Sequence, residues 1–375
     1  MGEEELVSVI VPAHDAARTL GDTLDSIRRQ THRALEIIVV DDGSRDRTAE
    51  VAAAHAAEDG RIRLIRQENG GVARARNAGI AASRAAFVAP VDADDLWHPD
   101  KIARQLAALR AAGPQTGYAY TWFRRIDADG RILHGTGHRI EGAVFLRSIL
   151  FNFVGNGSSL LIRRTAFDSV GGYDPGLRDA GLQGCEDYLL QMLIARHWRV
   201  ACVPEYLTGY RALEGAMSGD ALRMARSKCA AFDTVARRVP DAPAQILDAA
   251  RALTRAQIAV RLGLRMRRGA LTQLRAALAA DARTAAAILV REAWRDGCDI
   301  LARRFARIAP RPARHRPRFL ETAPDRQAEN PDPPPLAGRI AALAEQEESF
   351  FVPAGPATAA AAPPAHLHAA VGRPL

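Results

Sequence analysis

The chain has 375 residues, 48% hydrophobic and 25% charged, a composition that fits a soluble globular protein and excludes a disordered or fibrous one. Its formal net charge of +8 is unevenly placed: residues 244–316 hold 16 Arg against five acids, residues 317–375 balance to −3, and residues 1–243 are near neutral. The basicity therefore belongs to a C-terminal appendage, and because no recognition motif accompanies the charge, nucleic acid is not the expected partner. The four cysteines (Cys185, Cys202, Cys229, Cys298) form no CxxC pair and have no His at ligand spacing, so they read as reduced cytosolic thiols rather than a zinc site. An acidic start without a signal-peptide core, and no apolar run near the ~18 residues of a membrane span, give a cytoplasmic expectation, soluble or resting on a membrane surface.

In chain order, Val7–Val11 is a β-branched run stopped by Pro12 and predicts a buried strand. Leu20, Leu24 and Ile27 at helical spacing predict a helix over 17–30. Leu35–Val40 is a second strand ending at Asp41-Asp42-Gly43-Ser44, with Ser44 placed to cap a helix that runs through Val51 to residue 57. Ile62–Ile65, then Asn69-Gly70-Gly71, then a helix over 72–83 follow. Ala86–Val91 is a fourth strand ending in Asp92-Ala93-Asp94-Asp95, and Pro99 opens a helix to residue 112. Such alternation predicts an α/β fold with a parallel sheet covered on both faces.

Beyond residue 116 the pattern is less regular. A hairpin is predicted from Tyr118–Arg125 and Arg131–Leu133 around Asp127–Gly130, with a strand at Ser158–Ile162, a helix at Tyr188–Arg196 and a strand-like Val200–Pro204. An Ala/Leu/Arg-rich helical region spans 220–309, and a Pro/Ala-rich, largely disordered tail spans 310–375, interrupted by a short helix near 336–351. The expected division is thus a domain over 1–219, the helical region and the tail.

Sheets of this kind bind ligands beyond the carboxyl ends of their strands. Pro12–Asp15, Asp41–Ser44, Asn69–Gly71 and Asp92–Asp95 all fall there and outline one pocket. Three carboxylates within Asp92–Asp95 repel one another unless a cation lies among them, and hard oxygen donors suit Mg²⁺ or Mn²⁺ bridging substrate phosphates; the competing reading is a solvated acidic turn. Either Asp41 or Asp42 can accept from a base or ribose while the other forms the turn. Asn69-Gly70-Gly71 permits close backbone approach to a ligand, and one of Arg74 and Arg76 facing a diphosphate competes with a solvated helix face. Glu186-Asp187 opens an apolar helix, where a carboxylate is stabilised as the anion. No GxGxxG or P-loop segment is present, which argues against dinucleotide and P-loop folds.

Taken together, Ser8–Asp15, Val39–Ser44, Asn69–Gly79, Asp92–Trp97, Gly171-Gly-Tyr-Asp174 with Glu186-Asp187, and Pro204–Arg211 resemble the family 2 glycosyltransferases, inverting enzymes of GT-A fold, over roughly residues 6–215. The resemblance implies a nucleotide-diphosphate sugar as donor and a glycan or lipid-linked acceptor. It places Pro12, Asp15, Asp41, Asp42, Asn69, Gly71, Arg74, Asn77, Asp92 and Arg211 on the donor nucleotide. Asp94, Asp92 and Asp95 would serve a Mn²⁺ or Mg²⁺ ion, and Asp187, beside Glu186, would be the general base. His14-Asp15 stands where the family often has an aromatic residue and Asn, and no histidine follows Arg211. The product expected is a cell-surface polysaccharide, lipopolysaccharide or capsule. A non-catalytic nucleotide-sugar-binding scaffold and a nucleotidyltransferase are the competing classes. For the Arg-rich helices, packing on the catalytic domain competes with peripheral contact to anionic lipid at the inner face of the membrane.

Overall fold

The structure, a computed structural model, describes residues 4–213, 219–264, 270–282, 284–286, 316–324 and 337–354. Its strands are β1 (Val7–Ala13), β2 (Leu35–Asp42), β3 (Ile62–Gln67), β4 (Phe87–Pro90), β5 (Leu96–Trp97), β6 (Thr116–Ile126), β7 (Ile132–Thr136), β8 (Leu160–Arg163) and β9 (Arg199–Arg211). Its helices are α1 (Leu20–Arg28), α2 (Thr48–Glu58), α3 (Val72–Ala81), α4 (Lys101–Ala112), α5 (Phe145–Leu150), α6 (Arg164–Ser169), α7 (Gly176–Asp179), α8 (Glu186–Ala195), α9 (Ala221–Arg238), α10 (Ala244–Leu264) and α11 (Ala337–Phe350).

One sheet runs through the body in the order β3-β2-β1-β4-β8-β6-β9-β5, with β7 paired to β6. The first four strands are parallel, as their apolar runs predict, and β1 lies in register with both β2 and β4. Beyond β4 the sheet turns mixed: β8 is antiparallel to β4 and β6, while β9 runs parallel to β6. The predicted hairpin is β6–β7, turning at Asp127–Gly130 with Gly130 at φ +76°.

Successive residues of a strand point to opposite faces. Val9 and Val11 enter one core with Leu20, Leu24 and Ile27 of α1 and with Ile102 and Leu106 of α4. Ile10 enters the other, with Ile38, Val40 and Ile80 of α3, and this larger core continues without a break through α5 and α8 into Phe232 of α9 and Leu247 and Leu253 of α10. Close packing of α3 requires Gly79, because a Cβ there would come within 2.6 Å of Ile10 Cγ2.

Two local expectations are corrected. Ser44 does not cap α2, which begins four residues later; its Oγ accepts from the Asp15 amide at 3.1 Å, and Asp46 accepts from Thr48 N at 2.9 Å instead. Residues 316–324, in the stretch whose prolines predict disorder, dock on the β6–β7 hairpin through Phe319 N to Gly130 O (2.9 Å) and Ile132 N to Pro317 O (3.0 Å), burying Phe319 against Leu96 and Ile126. Helix α11 lies where the short amphipathic pattern puts it and closes over α5. Glu347 accepts from the amides of Leu146 (3.1 Å) and Arg147 (2.7 Å), satisfying donors that the first turn of α5 leaves open, and Phe350 stacks on Phe145.

Candidate active site

The carboxyl ends of β1, β2 and β4 open on a cleft of about 480 Å³. Pro12, Asp15, Asp42, Asp92, Asp94, Glu186, Asp187 and Arg211 all line it, so residues separated by as much as 199 positions meet at one place.

At the β1 end two loops are laced together. Asp15 takes a left-handed backbone (φ +49°), which Asp tolerates better than most residues. Its Oδ1 accepts from Arg45 N at 2.7 Å, and His14 Nδ1 donates to Asp42 O at 2.9 Å. The two candidate carboxylates of β2 divide their work. Asp42 lines the cleft and accepts from the amides of Gly70 and Gly71 and from Gln67 Nε2, each at 2.7 Å. Asp41 lies away from the cleft and makes the turn, accepting from Ser44 N at 3.0 Å and from Arg66 Nε at 3.3 Å.

Several proposed donor contacts serve the scaffold instead. Gly71 (φ +83°) is covered by Arg178, whose Cδ would collide with a Cβ there, and Asn69 holds the same guanidinium through its carbonyl at 3.1 Å. Arg74 is at the surface, paired with Asp179 at 3.0 Å. Asn77 clamps the backbone of Tyr173, donating to its carbonyl at 2.8 Å and accepting from its amide at 3.0 Å.

The carboxylate turn after β4 is also divided. Asp92 and Asp94 line the cleft; burial, and then the charge of Asp92, push the Asp94 carboxyl up to about 6. Asp95, expected as a third metal ligand, points the other way. It is fully buried, accepts from Ser158 Oγ (2.5 Å) and Arg211 N (2.9 Å), and so fastens the acidic turn to the short turn Gly157–Ser159 and to β9. Among the described residues no group of three His, Cys, Asp or Glu is placed to hold a metal. The donor set of Asp92 and Asp94 still fits a hard cation that completes its shell with water and substrate phosphates. Arg211 locks the rim, donating from Nε to Asp94 O at 2.6 Å and from Nη2 to Asp22 at 3.3 Å.

Arg76 is the residue the sequence leaves undecided. It is 2% exposed and reaches Asp92 through Nη2 at 2.5 Å and Glu186 through Nη1 at 2.8 Å, with its guanidinium over the Tyr173 ring at 5.1 Å. One buried cation thus ties the β4 turn to the start of α8. Glu186 is occupied by this pair and by the Gly184 amide at 3.0 Å, while Asp187 lines the cleft and accepts from Tyr188 N at 2.7 Å. Burial and the neighbouring Glu186 charge raise the Asp187 carboxyl to about 7, opposed by Arg76. A carboxylate poised near neutrality beside a pair of cation-seeking carboxylates is suited to take a proton from a hydroxyl. Sequence reasoning missed Asn152, Gly155, Asn156 and Gly157, with Leu213 and Met224, which also line the cleft.

A half-parallel sheet with an acidic turn after its fourth strand and a carboxylate at the start of α8 is the arrangement of the GT-A transferases. Residues 8–171 match the model of glycosyl transferase family 2, so that segment is similar to the members of that family. The uncharacterized glycosyltransferase EpsJ of Bacillus subtilis is 47% identical over 90 residues, 24% of this chain and 26% of that protein. The putative teichuronic acid biosynthesis glycosyltransferase TuaG of the same organism is 33% identical over 141 residues, 37% and 55% of the two chains. The chain thus spans between about a quarter and about half of the length of these relatives. In fold it is similar to the mannosyltransferase PcManGT of Pyrobaculum calidifontis, solved in complex with GDP-Man and Mn²⁺, at a TM-score of 0.53 and 21% identity over 92% of this chain and 88% of that one.

Proposed function

We propose that the protein is an inverting glycosyltransferase that moves a sugar from a nucleotide-diphosphate donor to an acceptor hydroxyl. The observation that carries this reading is the presence of Asp187, its carboxyl shifted to about 7, in the same cleft as Asp92 and Asp94. Had Asp94 and Asp187 opened on separate cavities, the family motifs would have no common chemistry.

The donor base and ribose would lie along Pro12, Asp15 and Asp42, and its diphosphate beside Asp92 and Asp94. Those two side chains would hold Mn²⁺ or Mg²⁺, which when bound neutralises charge on the leaving diphosphate. The chain's own residues do the rest. Arg76 and Arg211 hold the carboxylate turn in place, and Asp187 takes the acceptor proton as its oxygen attacks the anomeric carbon. A single base in this role, with Glu186 committed to Arg76, implies one displacement and inversion. The GDP-Man and Mn²⁺ of the fold neighbour, and the teichuronic acid pathway in the name of one relative, support a sugar-nucleotide donor and a cell-surface polysaccharide product. A lipid-linked acceptor at the inner face of the membrane accords with the Arg-rich region. No helix among the described residues is long and apolar enough to cross a membrane, and the densest Arg runs, in 265–268 and 291–314, lie outside the described residues.

Incubation with a panel of sugar nucleotides and Mn²⁺, scored for sugar release and for the anomeric configuration of any product, tests the reading. Release from at least one donor, lost in Asp187→Asn, is expected; a retained configuration or full activity in Asp187→Asn refutes it.

A further inference from the structure

Two residues lining the cleft carry a buried polar atom with no hydrogen-bond partner among the described residues: Arg76 Nε and Asn156 Nδ2. Arg76 is already committed through Nη1 and Nη2 to its two carboxylates and lies over the Tyr173 ring, which leaves it no freedom to select a ligand. Asn156 is not. It is 3% exposed, and its Oδ1 accepts from Ser159 N at 2.9 Å, capping the short turn Gly157–Ser159. A backbone amide can only donate, so the orientation of the carboxamide is fixed and Nδ2 must be the unsatisfied end. Buried donors are nearly always paired, so one left open in a residue that lines a cleft calls for an explanation.

Its place says which acceptor. The next residues bolt this turn to the acidic one: Ser158 Oγ accepts from Asp92 N at 3.0 Å and donates to Asp95 at 2.5 Å. A Cβ on Gly157 would lie 3.3 Å from Arg76 Nη2 and 3.5 Å from Asp187 Cβ. Asn156 therefore borders the space between the Asp92 turn and Asp187, where the transferred sugar must sit if the sugar-nucleotide reading above, on which this inference rests, is right. We propose that Asn156 Nδ2 donates to a hydroxyl oxygen of the sugar carried by the nucleotide diphosphate and so selects among donor sugars.

Calorimetry with Mn²⁺ tests it, using the tightest-binding member of a panel of UDP- and GDP-sugars and its parent nucleoside diphosphate. Asn156→Ser and Asn156→Asp both keep an oxygen able to cap Ser159 N and remove the amide donor. The ratio of the two affinities cancels any effect of the added charge on the diphosphate. Sugar-nucleotide affinity is expected to fall by roughly 3- to 10-fold relative to the nucleoside diphosphate, as for one lost neutral hydrogen bond. An unchanged ratio in both variants, whether both ligands weaken together or neither does, overturns the assignment. Wild-type protein that binds no sugar nucleotide overturns the reading beneath it as well.

Discussion

Arg76 stands between two carboxylates that would otherwise face each other across a buried space. Removing one partner of such a group leaves uncompensated charge, so Arg76→Met is expected to lose about 3–5 kcal/mol of stability, read by urea denaturation. Its burial, which the sequence leaves undecided, accords with a stripe seen in the structure: Ala73, Arg76, Asn77 and Ile80 recur at i, i+3, i+4 and i+7 on α3, whereas Arg74 falls outside it. Which carboxylates it meets was not legible either, since Glu186 lies 110 residues away. Asp187→Asn is expected to leave donor affinity unchanged in calorimetry and to lower turnover by about 10²–10⁴-fold. In the wild type, turnover is expected to rise with pH through about 7, because the protonated carboxyl cannot accept a proton. Stability runs the other way. With its carboxyl raised above the ordinary value of 3.8, the folded state holds a proton that the unfolded state has released, so this group costs stability as pH climbs from about 4 to about 7. The melting temperature of Asp187→Asn relative to wild type is therefore expected to increase over that interval and then level off.

At the scale of elements, the acidic turn after β4 separates two kinds of carboxylate that the sequence presents as one cluster. Asp94→Ala is expected to abolish the Mn²⁺-dependent part of donor binding while leaving the melting temperature close to wild type. Asp95→Ala leaves Ser158 Oγ and the Arg211 amide without their acceptor, and is expected to cost about 1–3 kcal/mol in denaturation experiments. Spacing alone could not sort them, because the partner of Asp95, Ser158, lies 63 residues on and a strand pattern there does not say which carboxylate it meets. The strand ends were legible because apolar runs stop abruptly at Pro12, Asp41 and Asp92. The Ser44 cap failed because Ser44 is drawn to the Asp15 amide, a tertiary contact outweighing a local one.

For the molecule as a whole, the parallel half of the sheet and the convergence of its loops followed from alternation alone. The mixed half did not, since strand order there is set by pairing across long separations such as β6 with β9. The helical region that looked like an appendage shares the larger core: α9 packs on α8, and Phe232 meets Tyr188 edge to face at 6.2 Å. A chain ending at residue 240 is accordingly expected to melt lower than the full chain and to be digested faster by a dilute protease, because it uncovers that core.

The carboxylate at position 347 has a consequence for biosynthesis. Domains acquire structure from the amino terminus as they leave the ribosome, yet the helix leading into the Asn152–Gly157 wall receives its cap from a residue translated about 200 positions after it. Until then the first turn of that helix keeps open amides, so a nascent chain can present every motif of the family and still lack a finished recess for its substrates.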